Sequence, residues 1–169
     1  MRPIGRKGWR IAVTTTFKPL LERRITIDAT PSAVWDIIRD IRRMSQWSPQ
    51  VVSVKLRDPD EGIRLGTTFT NLNHQGELEW ITHGEVVRYV PEEEIAFRIA
   101  ENFAIWSFSI SAEGAAATVL TQRRETPDGI SQLSLDLTES HLGGQQAFTE
   151  LLEAGMVQTL TAIKACAES

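Results

Sequence analysis

The fold is decided by residues 24–49, RITIDATPSAVWDIIRDIRRMSQWSP, in which a strand pattern gives way to a helix pattern. Arg24 to Asp28 alternate polar and apolar side chains, and a period of two residues predicts a half-buried strand. Thr30 is a favourable N-cap, and Pro31 suits the first helical position because the N–H it lacks would have no partner there. We therefore predict a strand followed within about three residues by a helix.

The predicted helix has one apolar side. Its apolar residues recur every three or four positions, which requires one stripe of the helix to be buried. They are Val34, Trp35, Ile37, Ile38 and Ile41. A second short helix is predicted over residues 41–47, and Ser48-Pro49 ends it because proline disfavours helical geometry in the residue before it. We interpret Trp35 and Trp47 as core residues.

These elements resemble the START-like (SRPBCC) superfamily, which includes polyketide cyclases/dehydrases and birch-pollen-allergen-type proteins. The shared pattern is a strand, then Ala-x-Pro-x-x-Val-Trp at the start of a helix, then an aspartate and a Trp-Ser-Pro ending. The residues that carry it are Ala29, Pro31, Val34, Trp35, Asp40, Trp47 and Pro49. The resemblance extends in element order from about Leu21 to Ala167. It implies a helix-grip fold with a pocket between the sheet and the C-terminal helix, and it identifies a scaffold better than an activity.

Six further strands are predicted after the helix pair, each bounded by turn-forming residues. Their ranges are 51–56, 67–73, 77–90, 94–100, a strand containing Trp106, Phe108 and Ile110, and 116–126. His74-Gln75-Gly76 is the predicted loop of one hairpin, and Gly84 is predicted to mark a bulge or bend. Short connections favour antiparallel neighbours. We therefore predict an α+β helix-grip fold, in which a curved seven-stranded antiparallel sheet surrounds a long C-terminal helix, with two short helices after the first strand.

The long helix is predicted over residues 145–167, roughly 33 Å at 1.5 Å per residue. Its apolar stripe comprises Phe148, Leu151, Leu152, Met156, Leu160 and Ile163. Gly155 in its middle costs about 1 kcal/mol relative to alanine, so we expect either close backbone packing or room for a ligand beside it. Residues 127–144 fit a loop or a short helix, and because so long a connection is commonly functional we interpret them as a candidate lid.

Composition and charge predict one acidic domain with a basic extension. The chain has 169 residues, of which 41% are hydrophobic and 24% charged, as in an ordinary single globular domain. Residues 1–20 contain five Lys or Arg and no acid, and we predict that they are a solvated extension, with 11–17 as a possible edge strand. Residues 21–169 are the predicted ligand-binding domain. All 22 acidic residues lie there, which argues against nucleic acid as a partner.

Cysteine content and hydropathy suggest a cytoplasmic protein. Cys166 is the only cysteine, which excludes an internal disulfide and agrees with a reducing compartment. The chain has neither the apolar segment of a signal peptide nor a run of about 18 apolar residues that could cross a bilayer. Whether the protein is a monomer or a homodimer is left open.

A ligand cavity is the main functional expectation. A wide antiparallel sheet twists and curls, and one helix about 10 Å across cannot fill its concave side, so we expect a residual hollow. Strand parity predicts an aromatic lining with few polar groups, suited to a lipid, sterol, isoprenoid or polyketide. The predicted lining residues are Phe69, Leu78, Trp80, Phe97, Trp106, Phe108, Leu152 and Met156.

The sequence contains no established catalytic motif. It has no phosphate-binding glycine loop, no G-x-S-x-G and no H-E-x-x-H, and the three histidines are too dispersed to predict a metal site. We expect no cofactor. Alternation turns Arg123 and Arg124 to opposite faces, so one of them could hold a carboxylate or enolate oxygen in the cavity. The catalytic candidates are Arg123, Glu125 and His83, although the parity of His83 points it outward.

Three functions remain open from the sequence. The leading hypothesis is binding or transport of a small hydrophobic molecule in an internal cavity. The first alternative, implied by the resemblance, is a cofactor-independent polyketide cyclase/dehydrase-like enzyme, in which pocket shape folds a reactive chain and a few polar groups move protons. The second is a co-chaperone-like protein-interaction module, for which we expect an exposed apolar patch and a filled interior.

Overall fold

A computed structural model describes residues 17–169 of the chain. The seven strands are β1 Leu20–Ile27, β2 Val51–Leu56, β3 Thr68–Gln75, β4 Leu78–Val90, β5 Glu94–Ile99, β6 Ile105–Glu113 and β7 Ala117–Glu125. The helices are α1 Pro31–Ile38, α2 Met44–Trp47, α3 Gln132–His141 and α4 Gln145–Ala167, with single 3₁₀ turns at Ile41–Arg43 and Pro59–Glu61. Most of the predicted basic extension, residues 1–16, lies outside the described residues.

All seven strands form one antiparallel sheet in the order β1-β7-β6-β5-β4-β3-β2. Strands β2 to β7 form a meander, and β1 returns to pair with β7 over its whole length, from Leu20 opposite Glu125 to Ile27 opposite Thr118. The predicted α+β helix-grip architecture is confirmed, including the long C-terminal helix and the short helices after the first strand.

The predicted helix start at Thr30 is confirmed. The Thr30 hydroxyl accepts a hydrogen bond from the Ala33 N–H at 3.3 Å, and Pro31 occupies the first turn. Asp40 then caps the 3₁₀ turn, because its carboxylate accepts from the Arg42 N–H at 3.1 Å. The Arg42 guanidinium also donates to this carboxylate at 2.8 Å, which lowers the pKa of Asp40. The chain direction after β1 is therefore set by two side-chain caps.

One end of the interior is densely packed. Its fully buried side chains come from β1, α1, β4, β5, β7 and α4, and include Ile27, Val34, Val86, Ile95, Leu120, Leu160 and Ile163. Trp35 is buried there as predicted and makes an edge-to-face contact with Tyr89, with ring centroids 5.5 Å apart. Trp47 is only half-buried against this cluster, and the Arg43 guanidinium lies 4.8 Å from its ring centre.

The helices pack against the two sides of the sheet, mainly β1, β7 and β6 on one side and β2 on the other. Helix α4 packs chiefly against β1, α1 packs against β6, β7 and α4, and α2 packs against β2 and α4. Strands β3 to β5 therefore have a concave face that helix contacts leave largely uncovered at one end. This arrangement explains why a cavity persists there.

Two local predictions need correction. Strand β3 continues through Gln75, so the hairpin turn is Gly76-Glu77, where Gly76 adopts the positive φ of 60° that glycine tolerates. The irregularity in β4 lies between Val86 and Arg88 instead of at Gly84. Gly84 is required because a Cβ there would lie 2.3 Å from Cζ of Phe69, whose ring occupies that space.

The ambiguous segment after β7 contains a helix. Its leucines alternate as in a strand, but Ser131 caps α3 by accepting from the Ser134 N–H at 3.2 Å, and the following residues are helical. The Ser131 and Ser134 hydroxyls also donate to the carbonyl oxygen of Glu101, at 2.6 and 3.3 Å. These bonds fix α3 against the β5–β6 turn, in front of the uncovered part of the sheet.

Candidate ligand-binding site

The uncovered part of the sheet encloses a cavity of about 560 Å³, within the usual size range of small-molecule sites. Its walls are the concave face of β2 to β7, the segment with α2 that precedes β2, helix α3 and the N-terminal half of α4. The lining side chains on β4 and α3 include exposed ones, Leu78, Ile81, Leu133 and Leu137, so the opening lies between these two elements. The predicted residual hollow is present.

Six of the eight predicted lining residues border the cavity. They are Phe69, Leu78, Trp80, Phe97, Trp106 and Leu152. Phe108 does not, because it lies one inward position further along β6, within the packed cluster beneath α1. Met156 does not either: one turn beyond Leu152, it packs against Leu21 and borders a separate hollow of about 30 Å³. The aromatic wall therefore ends where α1 closes the interior.

The cavity also has polar walls that the sequence analysis did not predict. Four lining residues carry a buried polar atom without a hydrogen-bond partner in residues 17–169. These atoms are Asn71 Oδ1, Gln122 Oε1, Arg124 Nε and Gln145 Nε2. The alternation of β3 and β7 could have predicted two of them, because Asn71 shares the inward face of Phe69, and Gln122 shares the inward face of Leu120.

The two adjacent arginines on β7 have opposite surroundings. Arg123 lies on the outer face, where its Nε donates to the Glu22 carboxylate at 2.6 Å. This hydrogen bond lowers the pKa of Glu22. Arg124 faces inward and is 4% exposed, and its Nη2 donates to the Lys18 carbonyl oxygen at 2.7 Å. No carboxylate in the described part of the chain pairs with Arg124, and burial lowers its pKa. The arginine that borders the cavity is therefore Arg124, whereas the candidate Arg123 is held outside in an ion pair.

The other two catalytic candidates also lie outside the cavity. Glu125 is on the outer face, 3.2 Å from Nη2 of Arg88. His83 points outward as its parity predicts, and its Nδ1 lies 2.5 Å from a carboxylate oxygen of Glu101. Glu101 itself borders the cavity, and its carboxylate also accepts from the His83 backbone N–H at 2.8 Å. The acidic residue that borders the cavity is thus Glu101, in the β5–β6 turn, and its carboxylate is bonded to His83.

The described residues contain neither a metal-binding cluster nor a membrane-spanning helix. No group of three or more His, Cys, Asp or Glu side chains in residues 17–169 is arranged to hold a metal ion. Within the same range, no helix combines the length and apolar character needed to cross a membrane.

The curved sheet, the long helix along its edge and the enclosed hollow define a helix-grip protein with an internal cavity. Comparison with known families agrees with this class. The profile of the family described as "Polyketide cyclase / dehydrase and lipid transport" matches residues 18–165, and the chain belongs to this family. No protein among the curated sequences matches the chain.

Solved structures share the fold at low sequence identity. The di-domain aromatase/cyclase StfQ of the steffimycin biosynthetic pathway superposes with a TM-score of 0.70 and 14% identity over 89% of this chain, which spans 50% of that protein. The Zhui aromatase/cyclase from Streptomyces sp. R1128 gives a TM-score of 0.67 and 15% identity, covering 88% of this chain and 93% of that one. The polyketide-cyclase-like protein Cgl2372 from Corynebacterium glutamicum gives 0.54 and 25% identity, over 86% and 88% of the two chains.

Proposed function

We propose that this protein binds an elongated, largely apolar small molecule, such as a lipid, an isoprenoid or a polyketide-like chain, and acts as its carrier or sensor. The observation that carries the proposal is the enclosed cavity of about 560 Å³ behind α3. Membership of a family described by polyketide cyclisation and lipid transport supports it. Aromatic and aliphatic side chains form most of the wall, and a few polar groups are placed to orient a ligand.

The energetics favour an apolar occupant. Each Å² of apolar surface removed from water contributes about 25 cal/mol, and a hollow that apolar atoms do not fill loses dispersion contacts along its walls. Phe97 and Trp106, paired across β5 and β6, present adjacent rings to such a ligand. A flat or extended hydrocarbon body would satisfy this wall better than water would.

The proposal is tested by blocking the cavity. We expect purified protein to bind the neutral dye Nile red and to release it to a fatty acid, with retained ligand visible by native mass spectrometry. Leu152→Trp would fill the space beneath α4 and abolish dye binding. Val157→Trp is the matched control, because Val157 is 50% exposed on the same helix. If the wild-type protein bound no probe from any lipid class, the proposal would be wrong.

A second candidate is a cyclase/dehydrase-like enzyme, and it is favoured by the presence of both Glu101 and Arg124 among the residues that line the cavity. A carboxylate can remove a proton from carbon next to a ketone, and a guanidinium can stabilise the enolate oxygen that forms. Attack of that carbon on a second ketone of the same chain forms the ring bond and gives an alkoxide, which takes up the proton that the carboxylate removed. Loss of the resulting hydroxyl group together with a hydrogen from the neighbouring carbon then releases water and forms a double bond. The protein-interaction alternative predicts a filled interior, so the cavity does not support it.

Glu101→Gln tests the enzyme hypothesis. With a synthetic poly-β-ketone thioester as substrate, we expect the variant to lose formation of the dehydrated ring while dye binding is retained. Glu125→Gln is the control, since Glu125 pairs with Arg88 on the outer face. Equal product from wild type, Glu101→Gln and a blank without protein would reject catalysis and leave the binding proposal standing.

A further inference from the structure

Arg124 is a buried cation whose described surroundings lack a matching anion. Its side chain is 4% exposed, its only hydrogen bond goes to the neutral carbonyl of Lys18, and its Nε has no partner in residues 17–169. An unpaired charge in an apolar environment is costly, and a buried arginine remains protonated. A structural role would be satisfied by a carboxylate, as it is for Arg123 with Glu22. The cavity is the space from which an anion can reach this group.

Gln122 extends the same polar patch. It lies two residues before Arg124 on the inward side of β7 and is 4% exposed, and no group among residues 17–169 donates to its Oε1. Trp106 and Leu152 border the cavity beside this patch, with Trp106 directly opposite Arg124 in the β6–β7 register. A guanidinium next to an indole and a leucine suits a ligand whose charged group is attached directly to a hydrocarbon body.

The polar patch on β7 lies far from the opening. The exposed lining residues belong to β4 and α3, whereas Arg124 and Gln122 are almost completely enclosed. A second polar patch, Asn71 with Asn73 and Thr82, lies on β3 and β4 and is uncharged. Three strand spacings separate β7 from β4, where the opening lies, roughly 14 Å along the sheet at about 4.8 Å each. The only buried cation among the described lining residues is thus at the deep end.

From this geometry we infer that the ligand is an amphiphile with a terminal anion, which Arg124 binds at the deep end of the cavity while the hydrocarbon body extends towards the opening between β4 and α3. This inference rests on the proposed binding function and narrows the ligand class to acids. A carboxylate is the expected anion, because its two oxygens match the guanidinium fork. An alkyl phosphate offers the same chemistry.

The test compares ligands that differ only in the head group. Dodecanoic acid, 1-dodecanol and dodecyl phosphate compete with Nile red at about pH 8, where the carboxylic acid is ionised. A charge-assisted hydrogen bond contributes about 1.5–3 kcal/mol, so we expect wild type to prefer the acid over the alcohol by roughly ten- to a hundredfold. Tighter binding of the phosphate than of the carboxylate would assign the head group as phosphate and leave the role of Arg124 intact.

Arg124→Met removes the charge and keeps an apolar side chain of similar length. We expect this variant to bind 1-dodecanol as wild type does and to lose the preference for the acid. Arg123→Met is the control for net charge and must keep that preference, and circular dichroism checks that both variants fold. An acid preference that survives in Arg124→Met, or its absence in wild type, would overturn the inference. Failure of all three ligands and of the dye would instead reject the binding function itself.

Discussion

The two ends of the interior differ in how they are filled. At the closed end, α1 and the second half of α4 meet the sheet, and side chains such as Val34, Leu120 and Ile163 are fully buried against one another. At the open end, α4 follows β1 along the edge, and α3 stands in front of β3 to β5 without filling the space behind it. One continuous sheet therefore contributes to a solid core at one end and to a cavity wall at the other.

Because of this difference, we expect residues at the closed end to contribute mainly to stability and residues at the open end mainly to ligand binding. Residues at the closed end have neighbours on all sides, so their removal leaves a void that the structure cannot easily close. Residues at the open end already lack neighbours on one side and have fewer contacts to lose. Substitutions at the two ends should therefore affect different measurements.

The largest effect is expected from a matched pair of leucines on α4. Leu160 is 1% exposed in the closed end, whereas Leu152 borders the cavity. We expect Leu160→Ala to lower the free energy of unfolding by about 3–5 kcal/mol and Leu152→Ala by about 1–2 kcal/mol. Urea denaturation followed by circular dichroism measures both. Equal losses would mean that the open end is packed as tightly as the closed one.

Gly84→Ala tests the boundary between the two ends. The added Cβ would lie 2.3 Å from Cζ of Phe69, so the ring must move towards the cavity. We expect a loss of about 1–3 kcal/mol in the free energy of unfolding. A smaller side chain at position 69 should remove the clash, so the double variant with Phe69→Leu should recover part of the loss. Additive losses in the double variant would contradict this explanation.

Arg124→Met is expected to stabilise the protein, unlike the substitutions described above. Removing a buried charge without a counter-charge should raise the free energy of unfolding of the ligand-free protein by about 1 kcal/mol, even after loss of the bond to Lys18. Arg123→Met breaks a partly exposed ion pair and should lower it by less than about 1 kcal/mol. Thermal unfolding of both variants shows whether each substitution raises or lowers stability. A clear loss in Arg124→Met would indicate a structural role.

The smallest effect concerns Gly155 on α4. A Cβ there would lie 3.5 Å from Cγ of Pro49, an ordinary van der Waals contact, so alanine fits without displacement. Because alanine favours the helix by up to about 1 kcal/mol, Gly155→Ala should be neutral or slightly stabilising. A lower urea midpoint would instead support close backbone packing, one of the two explanations that the sequence leaves open for Gly155.

The sequence carried most of the fold because the local signals agree with one another. Thr30-Pro31 begins α1, residues 51–56 form β2 as predicted, and the apolar stripe of α4 contains the buried Leu152, Leu160 and Ile163. Helix α3 was ambiguous because its leucines alternate while its polar residues suit either state. The Ser131 cap and the contact with Glu101 decide it, and the second of these is a tertiary contact.

The candidate site was less accessible from the sequence. Alternation showed that Arg123 and Arg124 face opposite ways, but only the position of β7 between β1 and β6 tells which of them is inside. Glu101 lies in a turn, where no periodicity gives a direction. Phe108 faces inward like the lining residues of β6, and Met156 lies one turn beyond Leu152, but both belong to packed clusters that only the tertiary structure reveals.

The pairing of β1 with β7 also bears on how the chain acquires its structure. Leu20 pairs with Glu125, and α4, which follows β7, packs on β1. The first and last elements of the domain are therefore in direct contact. Contacts so distant in sequence slow folding, because the entropy of closing a long loop is lost before they form. During synthesis on the ribosome, β1 therefore cannot pair with β7 until nearly the whole domain has been synthesised.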